Sequence, residues 1–417
     1  KRTVAARVVA LDQVVVINRM GTVRPSGLVY ALERDVVPMS GTGPLSPGNV
    51  RLRDDKRPRP IVLRMNVGDC IDVTLTNLLA PAPPKDPLAL SPAPITTRNV
   101  GLHVSGLSVV DSAAGTTGGP NDGTFAGQNQ SSLVEPGKSH VYRLHAGVEG
   151  TFLVYSTAAD FNGVLTQQLT LGLFGAMTVE PETSEQYRSQ VSHADFELAR
   201  KRDTHGKPLT TPDGHPLVDY AALFPPDHDT THPGSHGRAC APILRMIDVP
   251  RAPVREGDKL VCKEVPGSLE VYHTDLTAIV TGPGAGRFPD SAKGQLFEPN
   301  PEYPDRRAPY REITVHYHES QDVLQPFSQF YDGTPDSHGL PSSYTLTAGL
   351  DASGSEAFAI NYSIAGISAE VLANRLGVGP AYDCPECKFE EFFLSSWPSA
   401  TPPPSSTSPP TPPSTRR

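Results

Sequence analysis

The stretch Ile61-Val62-Leu63-Arg64-Met65-Asn66-Val67-Gly68-Asp69, followed after Cys70 by Ile71-Asp72-Val73-Thr74-Leu75-Thr76, decides the fold class. Successive side chains of an extended chain point to opposite faces, so Ile61, Leu63, Met65 and Val67 share one face. Gly68-Asp69 is a turn signal. Beyond it Ile71, Val73 and Leu75 alternate with Asp72, Thr74 and Thr76. Period two on both sides of a turn predicts two strands, each with one buried face.

Working outward, the same pattern predicts strands over residues 11–17, 27–32, 100–107, 140–144, 150–155 and 171–179. Short strands at this spacing indicate a sandwich or a barrel. Composition agrees. Of 417 residues, 44 are Pro and 36 are Gly, which break helices and punctuate turns. The net charge of −9 argues against a nucleic-acid partner, since phosphate binding needs a basic face. No apolar run is long enough to span a bilayer. The opening Lys1-Arg2-Thr3-Val4 lacks the apolar core of a signal peptide, so a signal was either removed or never present. Five cysteines, Cys70, Cys240, Cys262, Cys384 and Cys387, are odd in number and scattered. They make no disulfide framework and leave the redox compartment open.

The chain divides by composition. Residues 1–182 read as one β-rich domain. Residues 183–240 read as a helix over 184–200 and then a polar, His- and Pro-rich surface connection. Residues 241–348 resume strand patterns at 242–249, 269–272, 276–280 and 312–318, as a second β domain. Residues 349–397 open a third, incomplete unit, in which Ser368 caps a short helix over 369–376 and Gly377 supplies its stop. Residues 398–417 are almost only Pro, Ser and Thr, a composition that buries no apolar area and predicts disorder.

Five fragments in order carry a resemblance. They are Pro60 through Asp69, Leu102-His103-Val104-Ser105-Gly106-Leu107, Val134-Glu135-Pro136-Gly137-Lys138, Glu149-Gly150-Thr151-Phe152-Leu153-Val154-Tyr155-Ser156-Thr157, and Gly172 through Pro181. Together they resemble a cupredoxin domain of a multicopper oxidase. Further on, Arg311-Glu312-Ile313-Thr314-Val315, Ala359-Ile360-Asn361-Tyr362, residues 373–380 and residues 390–397 look like the front part of large bacterial multicopper oxidases, a group that includes manganese-oxidising enzymes. The resemblance implies an all-β fold of cupredoxin-like Greek-key sandwiches in tandem. It implies copper as the parent's cofactor, the remaining cupredoxin domains as partners, and an extracellular or cell-envelope location. The parent activity it implies is one-electron oxidation of a metal ion such as Mn(II), or of an organic reductant, coupled to reduction of O2.

The resemblance also sets where copper ligands belong. In the family, two His-x-His motifs of this domain help hold the type 2/type 3 copper cluster, and imidazoles at i and i+2 on a strand face the same way. The first motif falls on His103-Val104-Ser105 and keeps one imidazole. The second falls on Tyr155-Ser156-Thr157 and keeps none. A His-Cys-His-like stretch for a type 1 site is absent. His103 is therefore the one metal-ligand candidate that these two motifs leave, and the alternative for it is a hydrogen-bonding or packing role. The segment is expected to act as scaffold with degenerate copper motifs and not to run the oxidase reaction alone. A copper-free cupredoxin module that binds a partner or is purely structural is the competing expectation, and a carbohydrate- or protein-binding sandwich unrelated to copper is a third.

Other features have a sharp and a bland reading. His316-Tyr317-His318 puts two imidazoles on one strand face, as a metal pair or as packing. His228, His232 and His236 recur every fourth residue, but the surrounding prolines favour a solvated loop. Cys384-Pro385-Glu386-Cys387 reads either as half a zinc ribbon or as a redox dithiol, but no second Cys-x-x-Cys is present, so a local disulfide or packed thiols is the simpler reading. Asp35, Asp54 and Asp55 read as surface charge, and Gly115-Thr116-Thr117-Gly118-Gly119 lacks the Lys-Ser/Thr of a phosphate cradle. The Pro/Ser/Thr tail is expected either as the out-of-frame or truncated end of a longer gene product or as a natural linker.

Overall fold

Thr3–Asp12 (β1) is the spine around which the rest is built, and its alternating sequence explains why. Val4, Ala6, Val8 and Ala10 point into one buried cluster, while Val9 and Leu11 point into a second on the other side. A computed structural model describes residues 2–13, 15–16, 23–24, 27–40, 43–53, 56, 58–82, 97–110, 121–123, 131–158, 168–210, 214, 216–228, 238–282, 309–320, 357–360 and 389–391.

The following elements build the first unit. They are Leu28–Leu32 (β2), Ile61–Asn66 (β3), Cys70–Asn77 (β4), His103–Val104 (β5), Ser108–Val109 (β6), Ser139–His145 (β7), Gly150–Tyr155 (β8), the short helix Gln168–Leu171 (α1) and Phe174–Glu180 (β9). One sheet carries β6-β7-β4-β1, with β4 parallel to β1 from Thr3↔Cys70 to Ala10↔Asn77. The facing sheet is β3-β9-β8-β5. Between them lie Ile61, Leu63 and Met65 from β3, Ile71, Val73 and Leu75 from β4, and Met177 and Val179 from β9. The inward faces are those the alternation predicts. Each buried Val or Leu is worth about 1.5–3 kcal/mol over exposure, and a slip of one residue would turn a whole row outward, so the register is fixed. The chain is all-β in the sandwich arrangement expected of it.

The strand expected over 100–107 is shorter, because Gly106 takes a positive φ of 96° and turns the chain after Val104. A Cβ at Gly106 would lie 2.6 Å from the Phe152 ring, so the turn also allows close packing there.

Residues 183–240 differ from expectation. The sequence predicts a helix over 184–200, yet Gln186–Arg188 (β10) and Gln190–Ser192 (β11) are extended, and only His193–Ala199 (α2) is helical. Ser192 caps α2 by accepting a hydrogen bond from the Asp195 amide at 3.1 Å. The helix begins late because Tyr187 and Val191, on the extended stretch before it, are buried in a third core. There they meet Val218, Phe224, Ile243 and Ile279. The stretch read as a surface connection thus supplies Val218, Tyr220 and Phe224 to a buried cluster.

After it come Ile247–Asp248 (β12), the hairpin Arg251–Glu256 (β13) and Lys259–Glu264 (β14), Leu269–Val271 (β15), Thr277–Val280 (β16), Tyr310–Ile313 (β17) and Tyr317–Ser320 (β18). The strand expected over 312–318 is broken at residues 314–316. β17 joins the sheet β10-β16-β17, while β18 pairs with Ala357–Ile360. β15 and β12 extend the first sheet, because β15 lies parallel to β1 at Val4↔Leu269, on the edge that β2 leaves open. The two stretches on either side of residue 182 therefore share a sheet.

The scattered cysteines hold one surprise. Cys240 and Cys262, 22 positions apart, form a disulfide that ties β14 to the segment after the His/Pro-rich stretch. Cys384, Cys387, the helix predicted over 369–376, the glycine-rich run 115–119 and the 398–417 tail lie outside the described residues. Among the described residues no helix is long and apolar enough to cross a membrane.

Candidate metal centre

The two motif positions singled out in the sequence meet on neighbouring strands. β5 and β8 are antiparallel, with His103 directly opposite Tyr155 and Val104 opposite Val154. The two rings meet edge to face, with centroids 5.3 Å apart. His103 Nδ1 lies 2.7 Å from the Asp122 carbonyl oxygen. A carbonyl only accepts, so Nδ1 carries a proton, and in the neutral tautomer that fits this contact the lone pair is on Nε2. A backbone carbonyl behind an imidazole is how metal-binding histidines are commonly oriented.

The loop that provides this carbonyl is held by backbone packing. Gly123 has φ 81°, and a Cβ there would come within 2.3 Å of the Leu102 carbonyl oxygen. The Gly123 carbonyl accepts a hydrogen bond from the Thr157 hydroxyl. Two positions earlier in the loop, Asn121 Oδ1 accepts one from His140 Nε2 at 2.7 Å. Sequence reasoning did not single out His140. Its alternation with Tyr142 on β7 marks a strand but gives no signal of the contact. Burial lowers its pKa.

The donor set falls short of a copper pair. Ser105 and Thr157 replace imidazole with hydroxyl, Tyr155 offers a phenol, and the Thr157 hydroxyl is already donating to Gly123. Copper is bound well by imidazole and thiolate and poorly by neutral hydroxyls. Of the described cysteines, Cys240 and Cys262 are joined, and Cys70 is buried in register with His145 on β7. Among the described residues no group of three or more His, Cys, Asp or Glu side chains is arranged to hold a metal ion. These residues fit at most a single imidazole ligand at His103, and we derive no redox step through copper.

The row continues across the sheet. Phe174 on β9 is opposite Tyr155, and the rings of both His316 and His318 lie against Phe174, at 5.5 and 4.8 Å. The expectation that these two imidazoles share a face is met, and Phe174 is what they share. His228 lies against Phe224 at 4.8 Å, while His232 and His236 are outside the described residues.

The opposite face of β3 carries the densest charge. Alternation predicts an outward Arg64, but that face is covered by the second unit. Arg64 donates through Nε and Nη2 to Glu312 Oε1, at 3.1 and 2.6 Å, and through Nη1 to the Asp275 carbonyl at 2.7 Å. Glu180 sits beside Glu312 and accepts from the Tyr310 hydroxyl at 2.8 Å. Burial and the neighbouring Glu312 push the Glu180 carboxyl up to about 9. Burial acts most strongly and would raise Glu312, but Arg64 and the hydrogen bonds from Glu180 and Thr314 together hold it below the usual range. Asp275 receives Arg59 at 2.9 Å and Arg188 at 3.0 Å. Burial opposes its ionisation, yet these two guanidiniums keep it well below the carboxylate range.

No family model matches the chain, and no curated protein matches it. Solved structures do align with part of it. A multi-copper oxidase from Pseudomonas thermotolerans aligns at 18% identity and a TM-score of 0.25, over 43% of this chain and 30% of its own. A copper nitrite reductase from Nitrosomonas europaea aligns at 15% identity and 0.24, over 43% and 42%. A blue copper oxidase from Nitrosomonas europaea aligns at 17% identity and 0.23, over 43% and 39%. The chain spans less than half the length of each of these structures.

Proposed function

We propose that this chain is a cupredoxin-like segment of a multicopper oxidase, in which it serves as scaffold and as a wall for substrate access, with its copper motifs degenerate. One observation carries the reading. Tyr155 stands directly across from His103, so the two motif positions are in register but hold one imidazole between them. The ordered sequence fragments and the sandwich built from them support the same reading. On it, the parent oxidises a metal ion such as Mn(II), or an organic reductant, and reduces O2 in its other cupredoxin domains. An extracellular or cell-envelope location is supported by the Cys240–Cys262 disulfide, since such bonds persist in oxidising compartments.

Copper loading followed by metal analysis tests this. The expected result is weak uptake of up to one copper per chain, abolished by His103→Ala, with no thiolate-to-copper absorption and no consumption of O2. A filled trinuclear centre, or O2 turnover by this chain alone, would overturn the reading. A second reading, a copper-free module, is favoured by the hydrogen bond of Thr157 to Gly123, which occupies a hydroxyl at a motif position. A chain that takes up no copper at all selects that reading.

A further inference from the structure

The joint between the first sandwich and the second unit holds two carboxyl groups that no motif announces. Glu180 ends β9, and Glu312 lies in β17. Glu180 is 3% exposed and the Glu312 side chain 15%. Glu180 Oε2 accepts from the Tyr310 hydroxyl at 2.8 Å. Glu180 Oε1 is buried and, among the described residues, meets no hydrogen-bond donor. Glu312 Oε1 takes Arg64 twice and the Thr314 hydroxyl at 3.3 Å. The two carboxyls are within hydrogen-bonding reach of each other. An ionised oxygen buried without a donor is costly, and two adjoining buried carboxylates do not both stay charged. A proton on Glu180 Oε1, donated to Glu312, removes both faults.

The groups around Glu180 favour this placement. Burial and Glu312 hold the proton on Glu180. Burial also opposes the charge on Glu312, but Arg64, reaching across from β3, keeps it there. Burial and Glu180 hold the Tyr310 proton, so that hydroxyl is a donor. Glu149, just before β8, bears on Tyr310 as well. Asn66, opposite Glu180 on β3, is neutral. Arg311 alternates to the opposite face of β17 from Tyr310 and Glu312. Asp275 gives Arg64 its carbonyl, while its carboxylate takes Arg59 and Arg188. The Glu185 carboxylate lies toward Arg2, at 3.9 Å.

The hold of β17 on the first sandwich is polar. Among the described strands β17 is the edge of the sheet β10-β16-β17, so its backbone bonds go to β16. Tyr310 packs against Met246, Ala278 and Val280 of its own unit. Ile313 and Val315, on either side of Thr314, are exposed. What reaches the sandwich is Glu312 on Arg64 and Tyr310 on Glu180. Both contacts pass through the carboxyl pair. Loss of its proton leaves two buried carboxylates facing one guanidinium, and like charges at this range repel. A strand with few buried apolar contacts is the kind that opens locally before the whole fold does.

We propose that one proton shared by Glu180 and Glu312 latches β17 to the first sandwich, and that its loss in alkali releases β17 while the sandwich stays folded. The proposal does not rest on the multicopper reading. Infrared spectra and hydrogen exchange of the full chain test it. Exposed carboxyls are ionised at pH 7, so a protonated-carboxyl stretch is expected there from Glu180. It should vanish by pH 10 and be missing from Glu180→Gln. Protection of the β17 amides, corrected for the intrinsic effect of pH on exchange, should fall about tenfold or more between pH 7 and 10, with β4 unchanged. In Glu180→Gln, whose amide still donates to Glu312 but cannot ionise, the fall should be much smaller. The absence of the stretch from the parent chain at pH 7, or its persistence in Glu180→Gln, would overturn the proposal. So would an equal fall in protection in that variant, or β4 losing protection together with β17.

Discussion

Arg64 and Glu312, 248 positions apart in sequence, form an ion pair of 2.6 Å in which the Arg64 side chain is only 1% exposed. The pair clamps the second unit's strand β17 onto the outer face of β3. Breaking a buried pair by removing one partner leaves an uncompensated charge, so Arg64→Met is expected to cost about 3–5 kcal/mol. Arg64→Met combined with Glu312→Leu should cost less than the single change. Urea unfolding of the three proteins checks this, and equal losses in single and double variants would show that the pair is not what matters.

Glu180 gives a pH dependence of definite sign. Its folded pKa, about 9, lies above the ordinary 4.5, so between these values the folded state holds a proton that the unfolded state has lost. Its contribution to stability is full below about 4.5 and is lost as pH rises toward 9. Glu312 is shifted down and acts oppositely, losing its contribution as the pH falls through its folded pKa. Glu180→Gln keeps a donor toward Glu312 and removes the titration. Denaturant midpoints at pH 5, 7 and 9 should fall less steeply in this variant than in the parent, and identical slopes would refute the assignment.

The disulfide closes a loop of 22 positions. In the chain-entropy account a loop of that length contributes about 3 kcal/mol. Replacing both Cys240 and Cys262 by Ser should lower unfolding free energy by about that amount, read by chemical denaturation without reductant.

Gly123 is where the loop under His103 meets backbone. With φ 81° and a Cβ position 2.3 Å from the Leu102 carbonyl, it tolerates no side chain without movement. Gly123→Ala should destabilise the fold by about 1 kcal/mol or more and shift the His103 ring resonances in NMR spectra. His103→Ala, which removes one hydrogen bond and an edge contact to Tyr155, should cost about 1 kcal/mol and leave the sandwich folded. A His103→Ala chain that fails to fold would make this residue a keystone of packing, contrary to this expectation.

The period-two runs at Ile61–Asn66 and Cys70–Asn77 determined by themselves that these are strands and which side chains face the core, because alternation is a property of the local backbone. The motif comparison at His103 and Tyr155 also lay in the sequence, as did their loss of imidazoles. Only the tertiary structure decided what covers Arg64 and Asn66, which a strand pattern marks as outward and which the second unit buries. It likewise decided that Tyr187 and Val191 stay extended in a stretch that reads as helix, and that Cys240 finds Cys262. Local alternation is fixed by covalent geometry, whereas the partner of an outward polar side chain depends on which distant segment packs over it, and no spacing within the strand encodes that segment.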